Sequence, residues 1–155
     1  MRAVVGMGSN LGKRRQTLQG AVAAIEALDG AAVIARSPLY ETEPVGPPQP
    51  SYLNAALSLR WEHEPEPLLD ALLAIERQFG RERRERWGAR TLDLDILWWE
   101  GGPVRTERLR VPHPELIRRA FALGPLLDVA EDLGGLYDTV LAGLGGRPPL
   151  AVPGW

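Results

Sequence analysis

The chain has 155 residues, of which 45% are hydrophobic and 25% are charged, and its formal net charge is -2. This length and composition predict one globular domain over residues 1–155. The absence of cysteine excludes a disulfide framework, a thiolate metal site and a cysteine nucleophile. Because the net charge is small, any site for a polyanion must come from local clusters of arginine.

The first part of the chain alternates apolar runs with turn signals. A short apolar run over residues 3–7 predicts a first strand, and apolar positions at helical spacing over residues 14–28 predict a first helix. Residues 31–36 form a second β-prone run, and the proline-rich segment 41–50 predicts a stiff loop. Residues 52–61 alternate apolar and polar side chains, which indicates a third strand with one buried face.

The second part of the chain repeats this pattern of a helix and then a strand. Helical spacing over residues 65–79 predicts a second helix, and alternation over residues 91–97 predicts a fourth strand. Beyond these, residues 115–123 are expected to be helical up to a stop at Gly124-Pro125, with a further helical stretch near residues 139–142.

The order β-α-β-β-α-β predicts an α+β fold of the ferredoxin-like type. In this fold an antiparallel sheet carries its helices on one face, and here a C-terminal helical extension follows. Because side chains alternate across a strand, we expect Tyr52, Asn54, Asp93 and Asp95 to lie together on the face without the helices.

The most informative local pattern is the pair Asp93 and Asp95. Alternation places both carboxylates on one face of a strand, with Cα atoms roughly 6.5 to 7 Å apart. Two carboxylates this close favour a bound cation, and Mg²⁺ prefers oxygen ligands. The alternative is a solvated strand face with two ordinary acids, and an isolated Asp-x-Asp favours that alternative because the pattern is short and common.

A cluster of arginines immediately before the two acids favours an anion site. Its members are Arg77, Arg81, Arg83, Arg84, Arg86 and Arg90. Arginine binds phosphate oxygens in a bidentate manner and stays protonated, so such a cluster beside two metal-binding acids suits a triphosphate. The alternative is an exposed loop whose arginines pair with Glu82 and Glu85, but the arginines outnumber these acids.

A second basic group surrounds His113. It contains Arg105, Arg108, Arg110, Arg118 and Arg119. The sequence leaves two roles open for His113, a hydrogen bond to phosphate or a structural cap. The glycine-containing turn at residues 8–12 has no P-loop lysine, so it is not a Walker motif.

Four segments together resemble the 6-hydroxymethyl-7,8-dihydropterin pyrophosphokinase family. They are Gly-Ser-Asn-Leu at residues 8–11, residues 40–44 with 52–55, the arginine-tryptophan-glycine to Asp-Leu-Asp stretch at 86–95, and Val-Pro-His-Pro at 111–114. The stretch at residues 86–95 is the most specific of the four. The resemblance implies a ferredoxin-like fold and an enzyme of folate biosynthesis that transfers pyrophosphate from ATP to the hydroxymethyl group of a dihydropterin.

The resemblance also implies roles for individual residues. Asp93 and Asp95 are expected to hold two Mg²⁺ ions and, with Arg81 and Arg90, to form the catalytic group. The pterin-binding residues implied are Thr42, Val45, Tyr52, Asn54, Trp87 and Phe121. The ATP-binding residues implied are Glu76, Arg90, Ile96, Arg108, His113 and Arg119.

Two other functions remain compatible with the sequence alone. An RNA-binding ferredoxin-like domain would present its sheet face to single strands, although such domains stack bases on aromatic residues and this face carries acids. A metal-dependent nuclease would cleave nucleic acid without a pterin.

The favoured prediction is a cytoplasmic enzyme, monomeric or a weak homodimer, whose partners are small molecules and neither nucleic acid nor membrane. The apolar run before Gly6 is too short for a signal peptide.

Overall fold

The computed structural model of this chain describes residues 1–43, 48–80, 92–151 and 155. Within these residues an antiparallel sheet contains five strands: β1 (Arg2–Ser9), β2 (Ala31–Arg36), β3 (Tyr40–Thr42), β4 (Tyr52–Trp61) and β5 (Asp93–Trp99). The order across the sheet is β2-β4-β1-β5, and β3 pairs with the beginning of β4. A second, two-stranded sheet is made of β6 (Val104–Arg105) and β7 (Arg110–Val111).

The helices lie on both faces of the main sheet. They are α1 (Arg14–Glu26), α2 (Pro65–Gln78), α3 (Ala120–Val129) and α4 (Gly134–Gly143). The apolar positions of α1 and α2, such as Leu18 and Leu72, are buried against the odd-numbered side chains of β4, such as Leu57. This face has the arrangement that the helical and alternating patterns predicted.

The second face of the sheet is partly covered by α3 and α4. The prediction had placed the helices of the fold on one face and had not placed the C-terminal helices on the other. Leu123 and Leu126 of α3 are fully buried in a cluster with Val4, Ala56 and Leu97 of three different strands. Val4 and Ala56 lie on the strand face opposite to α1 and α2, so this face is apolar at one end and polar at the other. In the described part of the chain, the C-terminal helices therefore cover the apolar end of this face and leave its polar end open for a site.

Several boundaries differ from the prediction, and two of these differences lie where distant segments of the chain are in contact. The predicted loop 41–50 begins too early, since Glu41 and Thr42 belong to β3. The predicted stop at Gly124-Pro125 is also wrong, because α3 continues through both residues to Val129. A Cβ atom at Gly124 would lie 3.2 Å from Cγ of Arg147, so glycine here permits close contact with the C-terminal segment.

The C-terminal segment runs along the free edge of β3. The amide of Glu41 donates to the carbonyl of Pro149 at 2.9 Å, and the amide of Ala151 donates to the carbonyl of Leu39 at 3.0 Å. Further on, the indole N–H of Trp155 donates to the carbonyl of Ser37 at 2.8 Å. The first two hydrogen bonds flank an isolated antiparallel bridge between Tyr40 and Leu150 at the edge of β3. In the described part of the chain, no helix has the length and apolar character needed to cross a membrane.

Candidate active site

The candidate site begins with a row of side chains across four strands. Asp93 of β5 pairs with Gly8 of β1, which pairs with Asn54 of β4, which in turn pairs with Tyr40 of β3. Residues that are directly opposite in an antiparallel sheet share a face. The prediction that both acids share a face with Asn54 is therefore confirmed, and Asp95 lies beside Gly6 in the neighbouring row.

Glycine in β1 keeps the space between the acids and Asn54 free of side chains. A Cβ atom at Gly8 would lie 3.0 Å from Oδ1 of Asn54 and 3.4 Å from Cδ1 of Tyr52. A side chain there would crowd the amide oxygen of Asn54 and contact the ring of Tyr52. The sheet thus forms a shallow floor with carboxylates on one side and the amide of Asn54 on the other.

The two acids are accessible and lie near a histidine. Both are half-buried, and the Asp95 side chain is 41% exposed, so neither is sealed under a helix. Nε2 of His113 lies 3.9 Å from Oδ1 of Asp95. Nδ1 of His113 accepts a hydrogen bond from the amide of Glu115 at 3.1 Å, so the neutral ring carries its proton on Nε2, towards Asp95.

Arg119 lies close enough to this group to influence it. Burial and the positive charge of Arg119 lower the pKa of His113, and the negative charges of Asp93 and Glu115 oppose this. The structure therefore places His113 near Asp95, with Asp93 and Arg119 within electrostatic range of the histidine, and the binding roles of these four residues stay predictions. The guanidinium carbon of Arg119 also lies 5.6 Å from the ring centre of Phe121, within the range of a cation–π contact.

Glu76 supports the strand that carries the acids. Its side chain is only 2% exposed, and its Oε2 accepts a hydrogen bond of 2.7 Å from the amide of Leu94, the residue between the two acids. A buried carboxylate needs such partners. The structure therefore places Glu76 beneath the strand as a support, and its predicted contact with ATP is not tested.

This support leads to a prediction about stability. Replacing Glu76 by Leu would leave the Leu94 amide without this acceptor, and we expect the free energy of unfolding to fall by about 1 to 3 kcal/mol. Replacing Glu76 by Gln keeps an oxygen that can accept the hydrogen bond, so the loss should be smaller. Urea unfolding of both variants measures the difference. Equal stability of the Leu variant and the original protein would show that the hydrogen bond is unimportant.

Asn54 and Thr42 are joined across β3 and β4. Nδ2 of Asn54 donates a hydrogen bond to Oγ1 of Thr42. Asn10 holds the residues that precede β4 in place. Its Nδ2 donates hydrogen bonds to Oε1 of Gln49 at 2.7 Å and to the carbonyl of Pro50 at 3.0 Å. Asn10 lies in the turn that follows β1, so the glycine-containing motif at residues 8–11 supports the floor of the site.

A cavity of about 640 Å³ opens beside Thr42. Its walls come from β3 and the residues around it, from the start of α3, and from the C-terminal segment. The lining residues are Glu41, Thr42, Glu43, Ser51, Glu115, Arg118, Arg119, Ala120, Phe121, Pro148 and Pro149. The volume lies within the range of small-molecule sites. Thr42 and Phe121 were predicted to bind the pterin, whereas Pro148 and Pro149 gave no signal in the sequence.

Two predicted ATP-binding residues have other surroundings. The side chain of Ile96 is buried on the face covered by α1 and α2, so any contact with ATP must come from its backbone. Arg108 donates a hydrogen bond to Asp70 and lies 3.9 Å from Glu66, both on α2. To contact ATP, the Arg108 guanidinium would have to break its interactions with Asp70 and Glu66, or bind ATP while keeping them.

Four predicted site residues lie outside the described residues. They are Val45, Arg81, Trp87 and Arg90. Their assignments to the pterin pocket and to the phosphate-binding group stay predictions.

Comparison with known proteins identifies the family. Residues 4–131 match the model of the 7,8-dihydro-6-hydroxymethylpterin-pyrophosphokinase (HPPK) family. The chain belongs to the HPPK family. The predicted family is therefore confirmed, and with it an ATP-dependent diphosphotransferase that acts on the hydroxymethyl dihydropterin in folate biosynthesis.

Curated relatives support the same family. A 2-amino-4-hydroxy-6-hydroxymethyldihydropteridine pyrophosphokinase of Pseudomonas aeruginosa is 47% identical over 133 residues, covering 85% of this chain and 82% of the relative. One of the same name from Synechocystis sp. is 45% identical over 130 residues, covering 84% of this chain and 67% of the relative.

A solved structure supports the fold. A Plasmodium falciparum HPPK-DHPS chain superposes with a TM-score of 0.62 over 82% of this chain, at 13% identity. The aligned part is only 39% of that longer chain, so the likeness concerns the fold of that part alone. The α/β architecture with an antiparallel sheet is thus shared with a structure of very different sequence.

Proposed function

We propose that this HPPK family member transfers the β,γ-diphosphate of ATP to 6-hydroxymethyl-7,8-dihydropterin on the polar end of the sheet. The observation that carries the proposal is the placement of Asp93 and Asp95 on one accessible face, beside His113 and Arg119 and across a glycine floor from Asn54. We assign the two acids to the metal-bound phosphates of ATP, and Asn54 with the neighbouring cavity to the pterin ring.

The donor set fits Mg²⁺ that arrives together with ATP. Among the described residues, no group of three or more acidic, histidine or cysteine side chains is placed to hold a metal. Mg²⁺ is commonly held by one or two carboxylates, with phosphates and water completing the shell. Asp93 and Asp95 would supply those carboxylates for two ions, and bound Mg²⁺ would neutralise charge on the phosphates.

The chain's own residues position the two substrates. In the reaction, the pterin hydroxyl oxygen forms a bond to the β-phosphorus, the bond from that phosphorus to the α,β-bridging oxygen breaks, and AMP leaves with the electron pair as the hydroxyl proton is lost. Arg119 and the Nε2–H of His113 can donate to phosphate oxygens near Asp95. We assign no protein nucleophile, because position and charge neutralisation dominate phosphoryl transfer.

The heterocycle is assigned to the region around Asn54 and the cavity. Asn54 and Thr42 offer polar groups for the edge of a pterin, and Phe121 offers an aromatic surface for its flat ring. Tyr52 completes the floor beside Gly8. This assignment matches the usual composition of small-molecule sites, which combine apolar walls with few polar groups.

A coupled assay tests the proposed reaction. With ATP, Mg²⁺ and the hydroxymethyl dihydropterin, we expect AMP and the pterin diphosphate in equal amounts, measured by chromatography and mass spectrometry. Omitting the pterin or adding a chelator should abolish AMP formation. ADP as the product, or AMP formed equally well without the pterin, would contradict the proposal. Salt-dependent binding of generic RNA without turnover would instead favour an RNA-binding domain.

Several finer predictions stay proposals. The strand order β2-β4-β1-β5 supports the ferredoxin-like description of the sheet. A single domain over residues 1–155, a cytoplasmic location, and a monomer or weak homodimer without nucleic-acid or membrane partners are proposed from the sequence. Size-exclusion chromatography with light scattering measures the oligomeric state.

A further inference from the structure

The three walls of the cavity are joined by one carboxylate outside the cavity. Asp128 of α3 accepts a hydrogen bond from the hydroxyl of Tyr40 in β3 through Oδ2. Its Oδ1 accepts a hydrogen bond of 3.0 Å from Nε of Arg147 in the C-terminal segment. Asp128 therefore connects β3, α3 and the C-terminal segment at one point.

Each of these residues lies a short, fixed distance along the chain from a wall of the cavity. Tyr40 precedes Thr42 by two residues in β3, so both side chains lie on the same face of the sheet. Asp128 follows Phe121 by about two turns of α3. Arg147 directly precedes Pro148. Loss of either contact of Asp128 would therefore allow one wall to move relative to the other two.

The connection is well enclosed. Tyr40 is 2% exposed and the Asp128 side chain is 19% exposed. The Arg147 side chain, which is 45% exposed, lies on the solvent side of this contact. Burial, together with the neighbouring carboxylate, raises the pKa of the Tyr40 hydroxyl to about 12. The hydroxyl thus remains a donor to Asp128 throughout the physiological range. Hydrogen bonds to a charged, partly buried acceptor are stronger than neutral ones.

The C-terminal segment is also shaped to fit at this place. A Cβ atom at Gly124 would lie 3.2 Å from Cγ of Arg147 and 3.5 Å from Cδ of Pro148, so glycine inside α3 provides the space in which the segment lies. Backbone hydrogen bonds at Glu41 and Ala151 hold the same segment to the edge of β3. These contacts involve residues beyond residue 131, where the match to the family model ends.

We propose that Asp128 is a positioning residue for the pterin site and that the C-terminal segment forms one of its walls through Pro148 and Pro149, with Arg147 joining that wall to Asp128. The inference rests on the proposed pterin pocket. In this account Asp128 sets the separation between Thr42 and Phe121, and thereby the width available to the heterocycle. Among the described residues, the two contacts of Asp128 involve neither Asp95 nor His113 on the nucleotide side.

Two single-contact variants test the inference. Tyr40→Phe removes one hydroxyl, and Arg147→Met removes the guanidinium but keeps most of the stem. Each should weaken binding of 6-hydroxymethyl-7,8-dihydropterin about tenfold, since each removes one hydrogen bond to a charged acceptor. Binding is measured by isothermal titration with Mg²⁺ and α,β-methylene-ATP present. The Kd of that nucleotide, measured without the pterin, should change less than twofold.

Arg2→Met is the matched control, because Arg2 forms a comparable ion pair with Asp132, with 2.6 Å between Nη2 and Oδ2, but does not line the cavity. It should leave the pterin Kd unchanged. A second control, Phe121→Ala, tests the pocket assignment itself.

The outcomes separate the inference from the pocket assignment on which it rests. If Phe121→Ala weakens pterin binding while Tyr40→Phe and Arg147→Met leave it unchanged, the positioning role of Asp128 is wrong and the pocket stands. If Phe121→Ala also has no effect, the pocket is elsewhere and the inference is overturned with it. Equal weakening of pterin and nucleotide binding, with a lowered Tm, would show a purely structural role and would also overturn it.

Discussion

Replacing Asp95 by Asn is expected to lower kcat by about 100- to 1,000-fold. Asn keeps the size of the side chain but removes the negative charge that is proposed to hold Mg²⁺ against the phosphates. Loss of part of this stabilisation, about 3 to 4 kcal/mol, corresponds to that factor, because each 1.36 kcal/mol is tenfold in rate. Asp95 is half-exposed at the end of the face, so the substitution should leave folding intact.

Initial rates of AMP formation at several Mg²⁺ concentrations measure this effect. The variant should require more Mg²⁺ for half-maximal rate, which distinguishes a metal ligand from a residue that only binds the nucleotide. Asp138→Asn is the control, because Asp138 is an exposed acid of α4 on the C-terminal helices. An Asp95→Asn enzyme with unchanged kcat and unchanged Mg²⁺ dependence would remove Asp95 from the metal site.

Replacing Asn54 by Ala is expected to weaken pterin binding by about 10- to 100-fold, with a much smaller effect on ATP. The truncation removes a polar group proposed to contact the heterocycle and also the hydrogen bond that holds Thr42. An unpaired polar group in a site costs about 1 to 3 kcal/mol, which gives that range of affinity. The asymmetry follows from geometry, because Gly8 separates Asn54 from Asp93 across the sheet.

Titrations with each substrate measure the two affinities separately. Ser58→Ala is the matched control, since Ser58 is a buried polar residue on the same face of β4, four residues further along the strand. Thr42→Val provides a second variant, because it removes only the hydroxyl that accepts from Asn54. If Asn54→Ala weakened ATP binding more than pterin binding, Asn54 would belong to the nucleotide side of the site.

The local pattern of the sequence was sufficient for the sheet that carries the acids. The boundaries of β2 and β4 agree with the predicted strands 31–36 and 52–61, because alternation of side chains and flanking turn residues are local signals. The common face of Asn54, Asp93 and Asp95 follows from the parity of their positions in β4 and β5. Local sequence therefore determines on which face of the sheet the two acids lie.

The features that were missed depend on contacts between distant segments. Gly124-Pro125 is a common end of a helix, yet α3 continues through both residues to Val129, and the C-terminal segment packs directly on Gly124. Glu76 did give a signal, since it follows Leu68 and Leu72 at helical spacing on the buried side of α2. A charged residue on an apolar stripe indicates a buried partner, here the amide of Leu94.

The contacts of Asp128 had no comparable signal. Tyr40, Asp128 and Arg147 are separated by 88 and 19 residues along the chain, and each is an ordinary residue for its element. Only the packing of α3 on the sheet and of the C-terminal segment on β3 brings them together. The match to the family also gives no information on Arg147, because the matched region ends at residue 131.

The central claim is that Asp93 and Asp95 hold metal ions on the open face of the sheet while ATP is bound. Anomalous diffraction from crystals grown with Mn²⁺, α,β-methylene-ATP and the hydroxymethyl dihydropterin tests it most directly. The account predicts two Mn²⁺ peaks about 3.5 to 4 Å apart, contacting both carboxylates and the phosphate oxygens. Bound nucleotide with Mn²⁺ peaks that contact neither Asp93 nor Asp95 would contradict it.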